Sequence, residues 1–273
     1  MSARINTILI LGATRGIGEG LARRFHSLGK TVIATGRSQD EDKLAQLSKE
    51  LPGLQYRVWD LTDLANLHNH VKGILTDFPK LDTVFINAGI QNHYLLFEQA
   101  PNNDEVVQEI TTNLTAPNLV AQSFAPHLLN LAQSGVKTHL FLTSSSLAYF
   151  PISFYPTYCA TKAGIAAFAK IMRMQLAHTG CKNLNIVEVV PPYIDTALNA
   201  HHRAQTDALQ GGPDKATPPM PLNEYIESFF SALEQTEADG SLKKEIGVGF
   251  GAQGVDVWRG AFEKLYEALG LSI

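Results

Sequence analysis

The chain predicts an α/β fold, a doubly wound parallel β-sheet flanked by helices, and three observations predict it. Short β-branched apolar runs alternate with longer amphipathic segments through the first half of the sequence, the pattern of successive βαβ units around a parallel sheet. The first apolar run passes straight into a glycine-rich turn, Gly12-Ala13-Thr14-Arg15-Gly16-Ile17-Gly18, which opens a helical pattern. A chain of 273 residues that is 45% apolar and 18% charged can bury a large core without disorder.

The runs 7–11, 31–35, 55–59, 83–86, 139–143 and 184–190 read as buried strands: each is short, apolar and mostly ended by Gly, Asp, Asn or Ser. Helical periodicity fills the gaps at about 17–29, 41–50, 62–78, 103–133 and 157–179, with Pro117 expected to kink the fourth helix. After Val190 the periodicity breaks into Pro191-Pro192 and a run holding His201-His202, Gly211-Gly212-Pro213 and Pro218-Pro219-Met220-Pro221. That length without period predicts a mobile functional segment, a substrate lid at 193–221. Helical signals return at 222–235, followed by a last strand at 245–250 and an amphipathic stretch from Val257 to Leu269. The whole chain, 1–273, reads as one domain carrying that lid, because the flanking segments alone would make poor folding units.

Composition narrows the function. Twenty-six acidic against 22 basic side chains give a net charge of -4, with no global attraction for nucleic acid or anionic lipid. No stretch reaches the roughly 18 uninterrupted apolar residues of a membrane span. Cys159 and Cys181 are too few for a disulfide framework, and with no secretory pattern at the N-terminus the expectation is a soluble cytoplasmic protein. No metal site is expected: His68 and His70 are two apart on a helix, and His201-His202 lack a carboxylate or cysteine at ligand spacing.

Glycines between a strand and a helix let the backbone approach a pyrophosphate, while the helix N-terminus offers free N–H groups and the positive end of its dipole. Gly12, Thr14, Arg15, Gly16, Ile17 and Gly18 are therefore candidate dinucleotide contacts. The spacing G-x-x-x-G-x-G resembles the fingerprint of the short-chain dehydrogenases/reductases, a single-domain Rossmann-fold family of NAD(P)-binding oxidoreductases. The resemblance extends in order along the chain. Asp60 and Leu61 follow the third strand where the family sets an Asp against the adenine. Asn87-Ala88-Gly89 matches the N-A-G turn, Asn113 the helix asparagine, and Tyr158-Cys159-Ala160-Thr161-Lys162 the Y-x-x-x-K. Ser145, thirteen residues before Tyr158, has the family spacing of the third catalytic partner, although Ser144 and Ser146 flank it. Pro191-Pro192-Tyr193-Ile194-Asp195-Thr196 is similar to the P-G-x-x-x-T segment whose threonine contacts the nicotinamide end, with Pro192 replacing the glycine. Together with Asn87 to Gln91 and Tyr155 to Lys162, this resembles the subgroup of DltE-like oxidoreductases. The resemblance implies that Lys162 also binds the nicotinamide ribose and that Asn113 holds a water linking the lysine to solvent.

Tyr158 and Lys162 are four residues apart on one helix and share a face. Bringing a tyrosine from a pKa near 10 to near 7 takes about 4 kcal/mol, expected from the lysine and the nicotinamide charge together. Tyr158 then gives a proton to a carbonyl oxygen, or removes one from an alcohol, while Ser145 holds that oxygen. In cofactor choice, the second strand ends Gly36-Arg37-Ser38, with glycine where NAD-selective relatives carry an acid. With no carboxylate expected there, Arg37 and Arg15 can pair with a 2′-phosphate, which predicts NADP(H), and Gly36→Asp with Arg37→Ala is expected to reverse the preference.

Phe150, Phe154, Tyr155, Tyr193 and Met220 are candidate walls for a small carbonyl or alcohol substrate, and His93 and Tyr94 either line the pocket or cap a loop. The expected function is an NADP(H)-dependent carbonyl reductase or alcohol dehydrogenase. The alternative is an NADP(H)-binding regulatory protein without turnover. Small residues Ala160, Ala163, Ala166 and Ala167, with the resemblance, predict a homo-oligomer, a dimer or tetramer.

Overall fold

Strand β1 (Thr7–Leu11) is the point from which the sheet grows in both directions. In the computed structural model, which describes residues 4–98, 102–237, 240–271 and 273, β1 pairs in parallel with β2 (Thr31–Gly36) on one side and β4 (Thr83–Ile86) on the other. Beyond β2 lies β3 (Gln55–Val58); beyond β4 lie β5 (Thr138–Thr143), β6 (Leu184–Val190) and β7 (Glu245–Gly247). The order β3-β2-β1-β4-β5-β6-β7 is parallel throughout and reverses direction at β1/β4, so a crevice opens there at the carboxyl ends of the strands.

Alternation along the strands builds a core on each face. Ile8, Ile10, Phe85, Phe141, Val187 and Val189 point to the side covered by α1 (Gly16–Ser27), α2 (Glu41–Glu50) and α8 (Leu222–Glu234). Leu9, Leu11, Val84, Ile86, Leu140 and Leu142 point to the side covered by α3 (Leu67–Asp77), α5 (Ala116–Gln133) and α6 (Pro156–Ala177). Phe25, Phe85, Phe124, Phe141, Phe229 and Phe230 are fully buried, each contributing about 1.5–3 kcal/mol of apolar transfer. No helix among the described residues is long and apolar enough to cross a membrane.

The elements depart from expectation at four places. The segment expected as one helix at 103–133 is α4 (Asn103–Ile110), a π-helical turn at Thr111–Thr115, and α5. Its interruption precedes Pro117, which lies in the first turn of α5, where a missing N–H is tolerated. The expected helix at 62–78 begins late: Asp60 Oδ1 accepts from Thr62 N and Oγ1 at 2.9 and 2.7 Å in a local turn, a 3₁₀ turn at Leu64–Asn66 capped by Asp63 follows, and α3 starts at Leu67. The last strand stops at Gly247, and α9 (Phe250–Ala268) starts seven residues before Val257 because Gly249, at φ +53°, turns the chain directly into it. The segment 193–221 contains α7 (Arg203–Leu209) and is tied at its ends by backbone bonds between Tyr193, Asp195 and Met220.

Candidate active site

The crevice is a cleft of about 1290 Å³ that runs from the glycine turn to the segment 193–221. Gly12, Thr14, Arg15, Gly16, Ile17, Arg37, Asp60, Leu61, Asn87, Ala88, Gly89, Ser145, Tyr158, Lys162 and Thr196 all line it. Gly18 and Asn113 do not.

At the turn, Gly12 and Gly16 have φ of +82° and +56°, the left-handed region that favours glycine. A Cβ on Gly12 would stand 2.7 Å from Ala88 Cα, and one on Gly16 3.3 Å from the Thr196 methyl, so the turn, Ala88 and Thr196 form one close-walled cradle. The N-terminus of α1 has no side-chain cap, which leaves its first-turn N–H groups for an anion. This cradle fits a dinucleotide pyrophosphate. Gly18 serves differently from the expectation: a Cβ there would lie 2.0 Å from Gly12 O, so its absence permits helix–strand packing rather than ligand approach. Asn87 Nδ2 donates to Gly12 O at 3.2 Å and fastens the end of β4 to the turn.

The adenosine end holds a group that the sequence did not lead us to expect there. Asp40, 5% exposed, lies 3.2 Å from Arg15 Nη2, 3.5 Å from Arg37 Nη2 and 3.0 Å from Lys43 Nζ. The expectation of no carboxylate is corrected: three cations surround one acid, which they hold below its usual carboxylate range against the opposing effect of burial. The acidic swap at Gly36 carries a steric cost as well, because a Cβ there would stand 2.2 Å from Thr14 Cγ2, so Thr14 would have to shift.

At the other end, Tyr158 and Lys162 lie on α6, and Ser145 lies just beyond β5. Lys162 is buried, its Nζ donating to Thr143 O at 2.8 Å and lying 5.5 Å from the centre of the Tyr158 ring. Burial pulls the lysine down to about 8, against the raising field of Glu109. Burial also pushes the Tyr158 phenol up, with hydrogen bonding from Ser145 working the other way. In the chain by itself, burial outweighs the opposing effect of the Ser145 hydrogen bond on Tyr158.

Ser144 is separated from its neighbour by its bond: its hydroxyl donates to the buried Glu188 Oε1 at 2.6 Å, away from Tyr158. Ser145 Oγ accepts from Leu147 N at 3.1 Å. Asn113 belongs to the π-helical turn, where its Oδ1 accepts from Ile90 N at 2.9 Å and its Nδ2 donates to Ile90 O at 2.8 Å. Its amide thus clamps the loop after Gly89, next to Lys162: a Cβ on Gly89 would lie 3.3 Å from Asn113 Oδ1 and 3.5 Å from Lys162 Nζ.

Phe150 is absent from the cleft wall; it packs on Phe250, while Phe154, Tyr155, Tyr193 and Met220 line the cleft. Tyr94 hydrogen-bonds Thr157, and His93 stacks on His202 at 5.6 Å, joining the loop after Gly89 to the segment 193–221. Asp40, Lys43 and Glu109 escaped the sequence reading. Glu109 carried a legible signal, since it stands four residues before Asn113 on the same helical face.

Comparison with known proteins agrees with this geometry. Residues 6–207 match the short chain dehydrogenase family, and the chain belongs to that family of oxidoreductases. It is 29% identical over 267 residues to the uncharacterized oxidoreductase DltE of Bacillus subtilis (strain 168), covering 97% of this chain and 96% of that protein. Among solved structures it is similar to a short-chain dehydrogenase from Sphingobium yanoikuyae in complex with NADPH (TM-score 0.72, 22% identity, 96% of each chain). It is also similar to a 3-ketoacyl-(acyl-carrier-protein) reductase from Brucella melitensis complexed with NADH (TM-score 0.72, 20% identity, 88% of this chain and 94% of that one).

Proposed function

We propose that the protein is an NADP(H)-dependent oxidoreductase that interconverts a carbonyl compound and a secondary alcohol, with Tyr158 as general acid/base. The observation that carries this reading is the convergence of Ser145, Tyr158 and Lys162 on the same cleft as the glycine cradle and the Arg15–Asp40–Arg37 cluster. The bound nicotinamide would supply the hydride. Gly12, Thr14, Gly16, Ile17, Asn87, Ala88, Gly89 and Thr196 would hold the dinucleotide's phosphates and nicotinamide end, Asp60 and Leu61 its adenine, and Arg37 and Arg15 its 2′-phosphate. Lys162 would bind the ribose, Ser145 would hold the substrate oxygen, and Tyr158 would move the proton to or from that oxygen. Asn113 acts in this scheme by fixing the loop beside Lys162.

The segment 193–221 is proposed to order over cofactor and substrate, which its contacts with the cleft support. Self-association is proposed from the α6 face, where Ala160, Ala163 and Ala167 are exposed; Ala166 is buried and cannot contribute. A sedimentation mass near that of one chain at micromolar concentration would contradict it. The function is tested by following NADPH oxidation against ketones, aldehydes, diketones and sugars. Turnover of at least one class supports the reading, and none across the panel with NADPH or NADH overturns it.

A further inference from the structure

Glu188, on β6, is 0% exposed, and no part of the proposed reaction uses it. Its carboxylate collects three donors: Ser144 Oγ donates to Oε1 at 2.6 Å, the Tyr149 hydroxyl is shared between the two oxygens at 3.0 Å each, and Lys170 Nζ lies 3.2 Å from Oε2. A carboxylate this far from water stays ionised only with such hydrogen bonds and a cation in place. Tyr149 remains a donor, since burial and the Glu188 charge push its phenol up. From the other side α9 presses on Tyr149, where a Cβ on Gly254 would stand 3.0 Å from Tyr149 Cβ. Ser144 and Tyr149 bracket Ser145 in the chain. The backbone is fastened on both sides of it as well: Ser144 N donates to Val189 O at 2.8 Å and Ser146 N to Pro191 O at 2.9 Å, both at the end of β6. Ser145 Oγ accepts from Leu147 N at 3.1 Å, which leaves its proton for a partner in the cleft.

We infer that Glu188 is a positioning residue: through Ser144 and Tyr149 its carboxylate fixes the short segment 144–149 and so aims the Ser145 hydroxyl at the substrate oxygen. The inference rests on the reading of Ser145 as the group that holds that oxygen. A loosened Ser145 loses a contact with the reacting atoms and none with the dinucleotide, so the cost falls on hydride transfer and not on cofactor affinity. Misplacement by 1 Å costs up to about 10²-fold, and removing one tether among several costs less.

The experiment leaves Glu188 and its ion pair with Lys170 in place and removes its two neutral donors. Single-turnover hydride transfer from NADPH is followed for wild type, Ser144→Ala, Tyr149→Phe and Ser145→Ala, and for each of the first two substitutions combined with Ser145→Ala. NADPH affinity and thermal unfolding are measured on every protein. Ser144→Ala should slow transfer about 10-fold with NADPH affinity unchanged, and Tyr149→Phe should act the same way by less. Losses at independent sites multiply to within about 2-fold. In the Ser145→Ala background, by contrast, Ser144→Ala should cost less than about 2-fold, because the hydroxyl it positions is gone. Full multiplication of the two losses, or an equal fall in transfer and NADPH affinity, would mean that the network only supports the fold, and would overturn the inference. Wild-type transfer in both Ser144→Ala and Tyr149→Phe would overturn it too. Should Ser144→Ala fail to fold, Tyr149→Phe alone and with Ser145→Ala makes the same comparison. Wild-type transfer in Ser145→Ala would remove Ser145 from the reaction and the inference with it, a result separate from full multiplication, in which Ser145 keeps its role and Glu188 loses the one inferred.

Discussion

Arg37→Ala tests the proposed 2′-phosphate contact. Around Asp40 the wild-type chain sets Arg15, Arg37 and Lys43 against one carboxylate, a local charge of +2, and the substitution leaves +1. A charge-assisted hydrogen bond contributes about 1.5–3 kcal/mol, or about 10- to 150-fold in affinity. The Arg37 side chain is 35% exposed, so solvent screening places the effect toward the lower end, about 10- to 30-fold. The assay is fluorescence titration with NADPH and NADH at low and high salt. NADPH affinity should fall while NADH affinity holds, and the difference should shrink with salt. Equal binding of the two cofactors by wild type, or equal losses for both in Arg37→Ala, would refute the assignment. The double variant with aspartate at Gly36 is a poorer test, because its Cβ displaces Thr14 from the cradle and mixes a steric loss into the electrostatic one.

Lys162→Ala should weaken NADPH binding and hydride transfer together; unchanged cofactor affinity in a direct titration would remove the ribose role. Glu188→Ala removes the carboxylate 3.2 Å from Lys170, itself 6% exposed and left with Ala166 O, Tyr149 Oη and the Trp258 ring, so denaturant unfolding should show a loss of about 3–5 kcal/mol. A loss under about 1 kcal/mol would mean that these remaining partners suffice for the buried ammonium and would contradict the ion pair's role. Burial lowers His139 from 6.5 to about 4. Above pH 6.5 neither folded nor unfolded chain holds that proton. Between 6.5 and 4 only the unfolded chain takes it up, so stability falls by about 3 kcal/mol across that window as pH drops. His139→Gln should flatten that part of the unfolding profile, and an unchanged slope would contradict the assignment.

How much was legible follows from how local each signal is. Short apolar runs located the strands of the described sheet, because strands covered on both faces read as near-continuous apolar runs; the edge strand β3 (Gln55–Val58), with Gln55 and Arg57, was the weakest such signal. The glycine turn and the Tyr158–Lys162 pair were legible through their resemblance to ordered family motifs, helix geometry adding only that the pair shares a face. Asp40 was not, because its meaning depends on Arg15, 25 residues away in sequence and across the β1/β2 pair. The π-helical turn at Thr111–Thr115 was hidden for a related reason: Asn113 is drawn out of register by Ile90, a partner on another element. Gly18 was legible as a glycine but not for its purpose, because the atom it avoids, Gly12 O, belongs to a different element.

The central claim is that Tyr158 exchanges the proton with substrate, and single-turnover hydride transfer in Tyr158→Phe tests it most directly. NADPH absorbance would be followed with the most active carbonyl compound of the panel. Loss of the phenol oxygen should slow transfer by roughly 10²-fold or more and leave NADPH affinity and unfolding within error of wild type. Transfer at a near-normal rate with intact cofactor binding would contradict the account.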